Sequence, residues 1–195
     1  MRKIFVIIFV TIGYLCGYAQ ISKSNVQQRV AQLSDYISFM ADKSKPLDTR
    51  NYYKNCALNL FIGKGEPFEQ EGILNTGVKM ETTSIYRKKP YRRLIKDYFT
   101  GLTNLRYAKV DIQSTHFIEI VVSDLQKVED NKYVCTACFE QVFVGYRDGR
   151  PCYTDRTRKK VKVYIFGEET IDGSFDGQES IILLGDVTAL ETTKM

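Results

Sequence analysis

The stretch Lys132–Phe166, KYVCTACFEQVFVGYRDGRPCYTDRTRKKVKVYIF, decides the fold. Apolar and polar side chains alternate on either side of Arg147-Asp148-Gly149-Arg150, the pattern of two long strands joined by a tight turn. A two-residue loop at Asp148-Gly149 would pair positions whose numbers sum to 297, setting Phe139 against Arg158 and Cys135 against Lys162. A three-residue loop pairs positions summing to 298 and sets Tyr133 against Ile165, Cys135 against Val163 and Ala137 against Val161. A slip of one residue exchanges the two faces of a strand, so the second register, with its three-residue loop, is expected. It gathers the apolar side chains on one face and leaves Glu140, Arg156, Arg158, Lys160 and Lys162 on the other.

Outward from this hairpin, further strands are expected at about 106–124 and 179–190, the last bent or bulged at Gly185-Asp186. Upstream the period changes from two to 3.6. Val26, Val30, Leu33, Ile37 and Met40 recur at helical spacing behind a capping box of Ser24 and Gln27, up to the Lys45-Pro46 break. A second helix from Thr49 would bury Tyr53, Cys56, Ala57 and Leu60 and stop at Gly63-Lys64-Gly65. Residues 64–76 read as a loop and 77–86 as a strand. Pro90 then opens a third helix with the stripe Leu94, Ile95, Tyr98, Phe99 and Leu102.

The amino terminus has another character. Arg2 and Lys3 precede an apolar run from Ile4 to Leu15, and Gly17-Tyr18-Ala19 offers small residues for cleavage. Residues 1–19 therefore read as a signal peptide, too short for a stable membrane anchor, with Gln20 to Met195 as one domain. The expected location is periplasmic or extracellular. With no Asn-x-Ser/Thr sequon anywhere, the expected source is bacterial. The formal net charge is +5, yet from Gly167 to Met195 seven acids face Lys194 alone. A basic body with an acidic tail suits a solvated, self-complementary surface, and export argues against a nucleic-acid partner.

The order of two helices, a strand region, a third helix and four long strands, with the aromatic-rich second helix from Tyr52-Tyr53 to Leu60-Phe61, resembles the nuclear-transport-factor-2-like superfamily over residues 24–190. The resemblance implies an α+β fold, with the amino-terminal helices packed in the concave face of a curved, mainly antiparallel sheet. The superfamily holds isomerases, dehydratases, ligand binders and scaffolds, so fold alone does not choose among them.

Several residues are candidates for chemistry. His116, the only histidine, shares a face with Val110, Ile112 and Ile118 if the strand from Arg106 is regular. It could act there as a pocket acid or base, or simply bond a neighbour, or be turned outward by a bulge near Ser114-Thr115. Cys135-Thr136-Ala137-Cys138 has redox or zinc spacing, but positions three apart on a strand point to opposite faces, so neither chemistry is expected. If any disulfide forms, Cys56 to Cys135 is the expected one, since both face the core. No metal or cofactor is expected.

Two functional readings follow. In the first, the chain is a non-catalytic binding or assembly module of the bacterial envelope. It would meet a protein partner or a second copy through the sheet face of Glu140, Arg156, Arg158, Lys160 and Lys162. In the second, it is a small-ligand binder or a SnoaL-like isomerase or hydrolase, with Tyr53, His116, Tyr133 and Gln141 around a pocket inside the cone. A second basic cluster, Arg87, Lys88, Lys89, Arg92, Arg93 and Lys96, precedes and enters the third helix.

Overall fold

The computed structural model describes residues 23–70, 72–87, 89–114, 119–167 and 180–195. Residues 1–22, with the expected signal peptide, Lys88, His116 and most of the acidic stretch before Ser180 lie outside the described residues.

The central hairpin forms as its side-chain pattern requires, from β8 (Lys132–Arg147) and β9 (Arg150–Phe166). Tyr133 faces Ile165, Cys135 faces Val163, Ala137 faces Val161 and Glu140 faces Arg158. The turn itself corrects the expectation. Asp148 and Gly149 have φ of 51° and 73°, so they make a two-residue loop of the type that needs positive φ at both positions. Arg147 pairs with Arg150 and Tyr146 with Pro151, whereas Gly145 pairs with Tyr153. Cys152 is the extra residue, a bulge that moves the ladder from the register of the turn to that of the core.

The first helix, α1 (23–41), buries Val26, Val30, Leu33, Ile37 and Met40 completely. Its capping box does not form. Ser24 already lies within the helix, and the Gln27 side chain donates instead to Ile120 O at 2.7 Å. The second helix, α2 (Leu47–Leu58), begins right after Pro46 and buries Ala57, with Leu60 and Phe61 following into the core. A single 3-10 turn, Ile62–Gly65, closes it. The segment expected as loop carries a small hairpin, β1 (Phe68–Gln70) with β2 (Ile73–Asn75). Next come β3 (Lys79–Thr82), β4 (Tyr91–Leu94) and the third helix, α3 (Ile95–Thr103). The third helix thus starts five residues later than Pro90 suggests, because Tyr91–Leu94 pair antiparallel with β3. Its buried stripe is nevertheless the expected one, Ile95, Tyr98, Phe99 and Leu102.

One edge of β8 is covered by three short strands, β5 (Lys109–Ser114), β6 (Val121–Val122) and β7 (Gln126–Glu129). The continuous strand expected over 106–124 is therefore broken. Ser114 pairs with Gln141 but Val121 with Cys138, so the two pairings do not belong to one unbroken ladder. On the other side of β9 lies β10 (Ile181–Lys194), longer than expected, with the register shift expected at Gly185-Asp186. The strand order β4-β3-β10-β9-β8-β5 is antiparallel except where β3 meets β10, in parallel, through Met80 and Val187.

The result is α+β, with the helices packed on one face of a curved, mainly antiparallel sheet. The inner face of the sheet contributes Tyr133, Cys135, Ala137, Phe139, Val161, Val163, Ile165, Leu184 and Val187 to the core. Fully burying one such side chain is worth ~1.5–3 kcal/mol. Towards the turn end of β8 and β9 that face becomes polar, with Gln141, Asp155, Thr157 and Lys159 all buried.

Candidate functional site

In β9 the inward positions run Asp155, Thr157, Lys159, Val161, Val163, so two charged side chains continue the apolar row. They line a cavity of about 550 Å³, within the size range of small-molecule sites. Its floor is the sheet, through Gln141, Phe143, Tyr153, Asp155, Thr157 and Lys159. The β3–β4 connection supplies Thr83, Ser84, Tyr86 and Arg87, and β4 and α3 supply Arg93, Tyr98 and Leu102. Tyr107 closes one side. It can do so because residue 145 is glycine, where an added Cβ would meet the Tyr107 ring at 2.6 Å.

Lys159 is 4 % exposed and its Nζ donates to Gln141 Oε1 at 2.7 Å. The ammonium also lies 5.4 Å from the centre of the Tyr98 ring. Among the described residues no carboxylate pairs with it. Burial is the main reason its pKa falls to about 8; Arg93 adds to the fall and the Asp155 charge opposes it. Asp155, 5 % exposed, accepts a very short hydrogen bond from the Tyr153 hydroxyl, which also lies 2.8 Å from Ser84 Oγ. Burial raises the Asp155 pKa against the lowering effects of that bond and of Lys159. Tyr153 is pushed up to about 12, first by burial and then by the Asp155 bond. Burial holds the Tyr98 hydroxyl well above the phenol range, opposed by the Arg93 charge and helped by that of Asp155.

Gln141 has a fixed orientation. An ammonium can only donate, so the oxygen of the amide must face Lys159 and its NH2 group must point elsewhere. That Nε2 is buried without a partner among the described residues, and so is Arg93 Nε. The Arg93 guanidinium stacks 5.1 Å from the Tyr98 ring centre. Arg87, Arg93, Arg147 and Lys159 against Asp155 give the wall an excess of positive charge. A hydrogen-bond acceptor or anion with an aromatic or apolar body fits this lining. A metal does not: among the described residues no three His, Cys, Asp or Glu side chains converge.

Of the four pocket residues named from the sequence, the structure places Gln141 in the cavity wall. Tyr53 packs on Phe39 at 4.7 Å between ring centres, and Tyr133 lies in the core opposite Ile165; neither lines the cavity. His116 is outside the described residues. In the basic cluster before α3, strand alternation separates Arg92 from Arg93. Arg93 and Arg87 face the cavity, Arg92 pairs with Asp186, and Lys96 meets Glu66 at 2.8 Å. Glu140, Arg156, Arg158, Lys160 and Lys162 are exposed on the outer face, where Arg156 Nε lies 3.9 Å from Glu140 Oε2.

The four described cysteines are free, so Cys56 and Cys135 are not joined. Cys135 is buried in the sheet core, where burial lifts its thiol pKa to about 11, while Cys56 lies on α2 with Tyr52 as a hydrogen-bond partner. Cys138 lies on the opposite face from Cys135, as strand geometry requires.

Lys159, Asp155 and Tyr153 escaped the sequence reading as site residues. The signal was present in the register: once Val161 and Val163 face inward, Asp155 and Lys159 must do so too.

No protein-family description matches the chain, and no curated protein sequence does. Two solved structures resemble it. A candidate scytalone dehydratase of Novosphingobium aromaticivorans is 9 % identical over 89 % of this chain and 91 % of its own, with a TM-score of 0.42. The Kfla4162 protein of Kribbella flavida is 13 % identical over 85 % and 91 %, with a TM-score of 0.39. Likeness at this level carries no argument about activity.

Proposed function

We propose that this chain is a small-ligand-binding protein whose site is the polar end of the cone interior. The ligand would present a carboxylate or polarised carbonyl to Lys159, Gln141 and Arg93, and an aromatic or apolar body to Tyr98, Tyr107 and Phe143. The observation that carries this reading is the orphaned Gln141 amide. It is 94 % buried, its oxygen is committed to Lys159, and its two N–H donors have no acceptor among the described residues. A buried donor without a partner costs ~1–3 kcal/mol, which a ligand oxygen would relieve.

Titration calorimetry with benzoate and cinnamate against benzylamine tests it. The carboxylates should bind and the amine should not. Gln141→Leu should weaken carboxylate binding about tenfold or more, since a hydrogen bond to a charged group is worth ~1.5–3 kcal/mol. Equal binding of benzylamine would contradict the reading. We further propose that the protein works after export, directed by residues 1–19; amino-terminal sequencing of the mature protein, expected to begin at Gln20, checks this.

The assembly reading keeps one favourable observation, the exposed row of Arg156, Arg158, Lys160 and Lys162. That row suits an acidic protein partner and is compatible with a ligand site on the opposite face.

A further inference from the structure

Lys159 is an unusual side chain for a wall that only has to attract an anion. Exposed arginines at the rim, Arg87 and Arg147, would do that at no burial cost. Lys159 instead lies nearly inaccessible in the cavity wall, held by one amide oxygen, the Met80 sulfur at 4.0 Å and an aromatic face. No described carboxylate is paired with it; the Asp155 charge favours the ammonium from a distance, and burial outweighs that effect. Buried amines without an ion pair are costly when charged, and the neutral form carries a free lone pair.

On the basis of the ligand-site reading above, we propose that Lys159 is a nucleophile that captures an aldehyde or ketone ligand as an imine. The Nζ lone pair forms the C–N bond and the carbonyl π pair moves to oxygen, which takes a proton to give a carbinolamine. Loss of that oxygen as water leaves Lys–N=C, both hydrogens of the water having come from the amine. No oxidant or reductant is needed, and solvent in the open mouth carries the protons. Gln141 accepts from the amine and so directs it, while its NH2 is free to hold a second oxygen of the ligand. The amine is titratable near neutrality, and the groups facing it are Asp155, Arg93, Tyr98 and Gln141.

The test is reductive trapping. The mature chain is incubated with 4-carboxybenzaldehyde and sodium cyanoborohydride at pH 7.5, then analysed by intact mass and peptide mapping. A solvated lysine has a pKa of ~10.4 and is about a thousandth neutral at this pH, against roughly a quarter for an amine of pKa 8, so Lys159 should label on the order of 100-fold faster than surface lysines. One adduct on the Lys159 peptide, suppressed by benzoate and absent in Lys159→Met, is the expected result. Labelling spread evenly over surface lysines, with benzoate still bound by the protein, would overturn the imine and leave the ligand site standing. Failure of both labelling and benzoate binding would overturn the ligand site with it.

Discussion

At Lys159 the interests of binding and of stability oppose each other. Its pKa of about 8 lies below the value of 10.5 for the unfolded chain, so folding disfavours the ammonium. Below pH 8 both states are protonated and the full burial cost is present, about 3 kcal/mol for a shift of this size. Between pH 8 and 10.5 the folded state releases its proton first, and stability rises with pH until the cost is gone. Lys159→Met removes this cost but leaves Gln141 Oε1 without its donor, at ~1–3 kcal/mol. Urea denaturation should therefore find the Met variant at least as stable as the natural protein at pH 7, and lose that advantage by pH 10. A variant more than about 2 kcal/mol weaker at pH 7 would mean that the ammonium is well satisfied where it is. The site was half legible in the sequence for a related reason. Gln141 attracted attention as a polar residue on an apolar face, whereas Lys159 stands among Arg156, Arg158, Lys160 and Lys162 and looks like one more member of a charged run. Only alternation separates it from them.

The β8–β9 hairpin shows what side-chain pattern determines and what it leaves open. The core register was legible because one slip would bury Arg158 and Lys162. The turn was not, since a three-residue loop and a two-residue loop followed by a bulge deliver the same pairing at the core. The choice depends on the local φ of Asp148 and on Cys152, whose thiol donates to Gly145 O at 3.4 Å. This gives an asymmetric prediction. Deleting Cys152 removes the bulge but preserves every pair from Gly145–Tyr153 onward, so it should cost only about 1 kcal/mol. Deleting Arg156 would slide the turn side of the strand, turning Asp155 and Tyr153 to the opposite faces, and should abolish ligand binding and cooperative melting. Circular dichroism melts of both deletions decide it, and equal damage would count against the bulge. The element before α3 failed differently. Tyr91–Leu94 are too few residues for periodicity to distinguish strand from helix, and a proline at 90 is compatible with either.

Over the whole molecule, charge is sorted by face. The cavity and the outer row of Arg156, Arg158, Lys160 and Lys162 are both basic, and they lie on opposite sides of one sheet. A face-to-face homodimer through the outer row would bring like charges together, offset in part by Glu140 and Glu191. Sedimentation at micromolar concentration should find a monomer at low salt, and any dimer through this face should strengthen as salt is added. Dimer formation that weakens with salt would assign the contact to some other surface. The α1 stripe and the long strands made the architecture readable, because their periods are long and consistent. The broken edge of β5, β6 and β7 was not, since alternating side chains over 106–124 read equally well as one strand or as several short ones.

The parallel contact of Met80 with Val187 has a kinetic consequence. It joins β3 to a strand that follows every other element, with Leu184 N–H also donating to Leu60 O at 2.8 Å. The two halves of the sheet therefore cannot meet until almost all of the chain is available. Contacts this distant in sequence make for slow folding, on the millisecond-to-second scale typical of topologies dominated by non-local pairing. A growing chain would leave the ribosome nearly complete before its sheet could close. For a protein with the leader proposed above, that delay is the interval in which a translocation channel can accept it as a thread.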